Sequence, residues 1–531
     1  MKSNNLFKYI FAAVVIVLIG YTIYLISQRN SNEDEKSIDQ TSTVSNIQTD
    51  LRFAIAGLDT INPIITNNRN VQEITKVIYD PLITLNENYK LEYCLAEEIA
   101  KNDDFSYIVK LRKGVLWEDR SNFTAYDVKF TVDIIKDIEA RGIGTIYSEN
   151  LKHVADLEVI DSNTVKFILN EPVDFFEYNL TFPIMCQQYY EGEDFATSEK
   201  TPIGTGMFKI TEISENIIKL AQNEHYWNTE KKPMATQIII NLYNNIGEVY
   251  SAFKNGEIDI LSVKISDIET YIGTLGYNKI EYKARDYDFL ALNTANELLS
   301  NASIRKALSL LLDKNNIVAG LGRGYVVSNF SLDMGNWLYT RDLNVAQDTE
   351  LATQILAEDG WNYINNIWQK NIDGKNRRLE LSLSVNADNS LRVQVAENIK
   401  DQLANFGIPV TIRYLGRDAY VDAINNKNYE LILTGITLGY TPSLKTFFGE
   451  NNLANYYNQE ILDLMNEASN TIDENAIYNN YSRIYDIYLE EAPYIGLYRN
   501  TNIIVYNQGL VCNITANSFN LYHNIEKWYR Q

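Results

Sequence analysis

From Tyr9 to Ile26 the chain runs for 18 residues without a charge, and this one segment constrains the topology of everything after it. As a helix it is about 27 Å long, close to the roughly 30 Å hydrocarbon core of a bilayer. Lys2 and Lys8 precede it, whereas Glu33, Asp34 and Glu35 follow soon after. The positive-inside rule therefore keeps the N-terminus in the cytoplasm and carries the remainder outside. A cleaved signal has an apolar core of about 7 to 15 residues and a small-residue site. Tyr24-Leu25-Ile26-Ser27-Gln28 offers no such site, so residues 1–26 are expected to be a membrane anchor or an uncleaved signal. Residues 27–49 are polar with isolated apolar positions and read as a flexible linker, its r.m.s. reach roughly 25 to 30 Å by random-coil scaling.

The remaining chain, from residue 50 to 531, is long enough for several domains and has the composition of a globular protein, 45% hydrophobic and 22% charged overall. A formal charge of -22 repels phosphate backbones, which argues against a nucleic-acid partner. Thirty-seven Tyr can supply flat amphipathic contact surfaces, or can reflect codon bias. Cys94, Cys186 and Cys512 have no metal-ligand spacing, and their odd number leaves at least one unpaired; buried free thiols are expected.

Leu51 to Gly57 alternates bulky apolar with smaller or polar residues and ends on Gly, which predicts a strand. Ser106–Leu111, Thr164–Leu169, Gly206–Ile213, Ile217–Ala221 and Thr236–Tyr243 have similar β character. Thr124 with Asp127 predicts a capped helix bearing Val128, Val132, Ile135 and Ile138 on one face. Ser303 precedes a second helical stripe, Ile304, Ala307, Leu308, Leu311 and Leu312, with Gly320 beyond its end. A β-α-β unit runs from Leu379–Val385 through a helix with Ala396, Ile399, Leu403 and Phe406, ended by Gly407, to Pro409–Tyr414. Tyr429–Thr434 adds a strand, and no Pro/Gly-rich linker divides the body, so any passage between lobes is expected through ordinary strands able to act as hinges.

Catalytic signatures are missing from the sequence. His153, His225 and His523 have no neighbouring ligand set, and there is no nucleophile elbow, phosphate loop or complete dinucleotide fingerprint. The Gly clusters at 204–206 and 320–324 are read as tight turns. No cofactor, metal or catalytic residue is expected.

Several segments, in order, resemble family 5 of the bacterial extracellular solute-binding proteins over roughly residues 50 to 530. They include Val77-Ile-Tyr-Asp-Pro-Leu82, Val109-Lys-Leu-Arg-Lys-Gly-Val-Leu-Trp117, Phe123-Thr-Ala-Tyr-Asp-Val128, Pro202-Ile-Gly-Thr-Gly206, Asn223-Glu-His-Tyr-Trp227, Asn255-Gly-Glu-Ile-Asp259, Ile304-Arg-Lys-Ala-Leu308 and Ala492-Pro-Tyr-Ile495. The resemblance implies an α/β type II periplasmic-binding-protein fold, two main lobes plus an extra domain, here preceded by one N-terminal transmembrane helix. The expected division is 50–88, 196–283 and 496–531 for a discontinuous first domain, 89–195 for the second and 284–495 for the third.

The departures from the family pattern bear on the ligand. The pocket segment resembles Gly435-Ile-Thr-Leu-Gly-Tyr440, and where oligopeptide binders carry an Asp for the peptide's α-ammonium this chain has Gly439. A free-N-terminal peptide therefore needs another acidic partner. Ungapped alignment puts Arg417 and Ile436 where oligopeptide binders have Trp; Arg417 can grip a carboxylate or stand as a surface residue. The backbone of Gly435 and Thr437 can pair with an extended ligand whatever its side chains. Asn67, Asn68, Arg69 and Tyr147 are the candidates from elsewhere in the chain. The family's W-x-D-G-x-P turn becomes Trp117-Glu-Asp-Arg-Ser-Asn122, which either changes conformation or tolerates a non-Gly residue, and Met207 stands where the family has Pro.

The resemblance implies a monomeric, non-enzymatic substrate-binding component of an ABC import system. It would capture oligopeptides or peptide-like solutes outside the membrane and deliver them to permease subunits and their ATPases. The alternatives are a sensor or adhesin that keeps the fold, a substrate-processing enzyme, or transport of a chelated metal or an oligosaccharide.

Overall fold

The computed structural model describes residues 50–531 except 269–271, 274, 275, 340 and 342. The expected membrane helix lies outside the described residues, among which no helix is long and apolar enough to cross a membrane.

Alternation drives the first sheet. In strand Asp50–Ala56, Leu51, Phe53 and Ile55 are buried while their neighbours are half-exposed, and Gly57 closes it with φ +59°. The strand pairs in parallel with Gln237–Tyr243, which continues antiparallel through Ile217–Gln222 to Phe208–Ile213. A second four-stranded sheet is antiparallel throughout, in the order Ala96–Asp103, Ser106–Leu111, Thr164–Leu169, Val154–Asp161. Helix Ala125–Ala140 contacts its last two strands and starts from the predicted capping box, the Thr124 N–H donating to Asp127 Oδ2 at 2.7 Å. Val128, Val132, Ile135 and Ile138 are buried, each worth about 1.5 to 3 kcal/mol.

The third sheet has seven strands, in the order Ile260–Val263, Tyr494–Asn507, Tyr277–Leu292, Leu431–Thr437, Leu381–Asn386, Val410–Leu415, with Tyr325–Val327 added to Tyr494–Asn507. Its centre is buried on both faces. Phe289 and Ala291 join one hydrophobic cluster, while Leu290 and Leu292 join another. The expected β-α-β unit is present: Leu381–Asn386 and Val410–Leu415 run parallel around helix Ser390–Asn405, and Gly407 takes φ +76° just past its end. The three-stranded meander Asn362–Ile364, Ile367–Ile372, Lys375–Arg378 has no counterpart in the sequence reading.

Local chemistry changes two expectations and decides between the alternatives of a third. Asn301, not Ser303, caps helix Ala302–Leu311, and Asp313 starts another helix, Lys314–Leu321, that contains Gly320. Gly204 and Gly206 mark a close approach of backbones: a Cβ would lie 1.8 Å and 2.6 Å from Ile78 O respectively. Arg120 holds φ +70°, so the altered turn keeps a left-handed residue without Gly. All three Cys are free; Cys94 and Cys186 are buried and Cys512 is half-buried.

Strands Tyr277–Leu292 and Tyr494–Asn507 are the longest in the described chain, and their register breaks in the middle. Lys283 faces Thr501, but the next pair is Tyr287 with Arg499, so Ala284, Arg285 and Asp286 face Asn500 alone. Such a bulge bends a strand and re-aims its side chains. Fully buried Arg499 holds it by donating to Ala284 O and Arg285 O, both at 3.4 Å, and to Asp333 Oδ1 at 2.8 Å.

Candidate ligand-binding site

The pocket grows out of an unfinished sheet edge. Strand Leu431–Thr437 pairs along its length with Tyr277–Leu292, from Leu431 opposite Leu292 to Thr437 opposite Asp286. On its other side it pairs with Leu381–Asn386 only at Leu431 and Ile432. The Tyr420 hydroxyl then donates to Leu433 O at 2.8 Å, and beyond it Gly435–Thr437 has no strand neighbour on that edge among the described residues. A cavity of about 320 Å³ opens there, walled by Gly435, Ile436, Thr437, Asp286, Asp288 and Arg392, with Tyr325, Asn389, Tyr498 and Asn500 around them.

Its floor is an ion pair. Arg392 Nε donates to Asp288 Oδ1 at 2.6 Å, the side chains 19% and 11% exposed. Burial pushes the Asp288 carboxyl above the ordinary value, and the guanidinium pulls against that. This pair dictates Gly435, because a Cβ there would lie 2.3 Å from Arg392 Nη2 and 2.7 Å from Asp288 Oδ1. With Asp288 neutralised, the exposed carboxylate of Asp286 gives the cavity its net charge. Asp286 accepts from Thr437 Oγ1 at 2.6 Å and has no cation partner among the described residues.

Of the predicted residues, the structure brings together Gly435, Ile436 and Thr437 in this wall and places the others elsewhere. Tyr440 turns inward: its hydroxyl donates to Ser518 O at 2.7 Å, and Arg285 lies 4.7 Å above its ring. Gly439 is exposed, and a Cβ there would meet nothing nearer than Thr441 Cγ2 at 3.6 Å, so no steric conflict demands glycine. Arg417 is exposed at the start of helix Arg417–Asn425, its N–H donating to Asp388 Oδ2 at 3.2 Å.

Asn68 caps helix Arg69–Thr75, accepting from Asn70 N at 3.0 Å, and ties back to Ala56 O at 2.8 Å. The Asn67 N–H donates to Asp59 Oδ2 at 2.7 Å, and both Asn67 and Arg69 are exposed. Tyr147 lines a different, smaller cavity of about 140 Å³ beside Gln72, Thr75 and Tyr522, where burial pushes its hydroxyl pKa up.

Sequence reasoning missed Asp286, Asp288 and Arg392. Two signals existed: acidic residues alternating on a strand that turns apolar at Phe289, and an Arg at the helix start after strand Leu381–Asn386, where α/β folds place ligands.

The sequence model of the bacterial extracellular solute-binding proteins, family 5, matches residues 90–455. The chain belongs to that family. Oligopeptide-binding protein AppA of Bacillus subtilis is 26% identical over 539 residues, covering 97% of each chain. The solved structure of that AppA with a nonapeptide superposes with TM-score 0.52 at 25% identity, covering 91% of this chain and 99% of that one. The unliganded open form of MppA, a periplasmic murein tripeptide binding protein, gives TM-score 0.75 at 18% identity, covering 91% and 97%.

This family 5 member therefore has a mixed α/β, periplasmic-binding-protein-like fold and an extracytoplasmic body, and its work is binding a solute rather than transforming it. The scaffold motifs are accounted for by packing. Asp80 of Val77-Ile-Tyr-Asp-Pro-Leu82 accepts from Thr205 Oγ1 at 3.1 Å and from Trp227 Nε1 at 2.8 Å, joining three of the family's segments at one buried carboxylate.

Proposed function

We propose that this solute-binding protein captures extended oligopeptides or peptide-like solutes outside the membrane and delivers them, as a monomer, to an ABC permease driven by its ATPases. The observation that carries the reading is the unpaired strand edge at Gly435–Thr437 opening on the 320 Å³ cavity. An extended peptide completes such an edge through main-chain hydrogen bonds, which give affinity without demanding a side-chain sequence. Asp286 supplies the acid that Gly439 does not, and its charge-assisted hydrogen bond selects a free α-ammonium. Relatives named as oligopeptide-binding proteins add support.

In this reading 50–88, 196–283 and 496–531 form one lobe, 284–495 the facing lobe and 89–195 the extra domain. The bulged pair of long strands is the hinge, and closure brings Asn67, Asn68, Arg69 and Tyr147 towards the ligand, with Arg417 at the rim. Residues 9–26 anchor the body to the membrane, and 27–49 let it reach the permease.

Isothermal titration of the protein with a nonapeptide library, free or N-acetylated, tests the proposal. Free peptides are expected to bind at least tenfold tighter than acetylated ones, and Asp286→Asn to remove the difference. Absence of peptide binding at millimolar concentration, alongside binding of another solute, would overturn it.

A further inference from the structure

A second cavity, of about 400 Å³, shares no lining residue with the one at Gly435. It lies among helix Ala302–Leu311, helix Lys314–Leu321, residues 344–348 and the end of helix Glu474–Glu491. Lys314 stands in its wall, 5% exposed, its Nζ donating to Asn329 Oδ1 at 2.6 Å. An ammonium has three donors, and a buried charge without a counter-charge is costly.

Among the described residues no carboxylate reaches it. Asp313 accepts from Asn316 N at 3.0 Å, Asp348 caps Leu351 N at 2.9 Å, and Glu490, the other acid of the wall, is exposed. Ser309, 7% exposed, adds a hydroxyl that has no partner in the protein among the described residues, and half-buried Lys306 completes the charged lining. Burial alone lowers the Lys314 pKa to about 8, so the group is mostly charged at neutral pH.

We infer that this cavity is a second binding site, independent of the peptide cleft, for a small carboxylate-bearing solute held by Lys314, Asn329 and Ser309. The volume falls within the range of small-molecule pockets, roughly 300 to 1,000 Å³. One buried cation beside neutral donors compensates a single negative charge. A dianionic phosphate would keep an uncompensated charge near Asp348 and Glu490, which favours a monocarboxylate head group.

Titration of the full-length protein with ¹³C-carboxyl acetate, with butyrate and with inorganic phosphate, against chloride at matched ionic strength, tests the inference by NMR and calorimetry. The carboxylates are expected to bind saturably at one site, at least tenfold tighter than phosphate. Binding should weaken as pH rises above 8, where Lys314 loses its proton; Lys306, Asp348 and Glu490 are the other charged groups facing the cavity. Lys314→Met should abolish it while Asp286→Asn leaves it unchanged. Ser309→Asp, which puts a carboxylate in the cavity opposite Lys314, should raise Tm and also abolish binding. Tighter binding of phosphate, undiminished binding in either cavity variant, or no saturable binding by the wild type would overturn the inference.

Discussion

Gly435 has no room for a side chain because Arg392 and Asp288 meet across it, 2.3 Å and 2.7 Å from where a Cβ would stand. Gly435→Ala is expected to displace that pair and destabilise the protein by about 1 to 3 kcal/mol, read by urea unfolding, and to weaken peptide binding at the adjoining edge. Gly439 is the opposite case. Its surroundings are open, so Gly439→Asp should fold normally and tighten binding of free-N-terminal peptides over acetylated ones, measured by calorimetry. Glu118 carries a pH dependence. Burial pushes its carboxyl up from 4.5 to about 7, against the Gly204 N–H that it accepts at 2.9 Å. Between those values the native state holds a proton that the unfolded chain has released, so stability falls as pH rises through the window. Glu118→Gln keeps an oxygen for Gly204, and its Tm should fall less than that of the wild type between pH 5 and 7.

At the scale of elements, the bulged pair of long strands depends on one side chain. Arg499 is fully buried, and its partner Asp333 is 4% exposed by side chain, with Lys283 3.4 Å from the same carboxylate. Removing the guanidinium leaves a poorly compensated buried carboxylate and frees the carbonyls of Ala284 and Arg285. Arg499→Met should therefore cost roughly 3 to 5 kcal/mol in chemical denaturation, and the double variant with Asp333→Leu should recover much of it. The bulge also aims Asp286 at the cavity, so the single variant is expected to lose peptide affinity as well as stability.

At the scale of the whole molecule, the hinge proposed in the paired long strands predicts rigid closure rather than local ordering. Small-angle scattering should show the radius of gyration falling on addition of saturating peptide. Unchanged scattering with peptide bound would argue that the lobes do not move.

Regular elements were legible wherever one face is buried and the other wet, because burial imposes its period on the residues. Strand Asp50–Ala56, the helix begun by Thr124 and the unit ending at Val410–Leu415 all announce themselves this way. The meander over 362–378 did not, because its outer strands, Asn362–Ile364 and Lys375–Arg378, are short and mostly exposed, with Lys375 and Arg378 in solvent. The site was half legible. Gly435–Thr437 stood out as a segment, whereas Asp286, Asp288 and Arg392 lie about 40 to 150 residues away and meet it only through sheet pairing and one buried ion pair. By itself the sequence determined the body's fold class and its family, since these rest on ordered local motifs and residue identity. Only the tertiary structure decided which carboxylate faces the empty strand edge and which lysine is buried without a counter-charge, because both depend on how distant segments exclude water from one another.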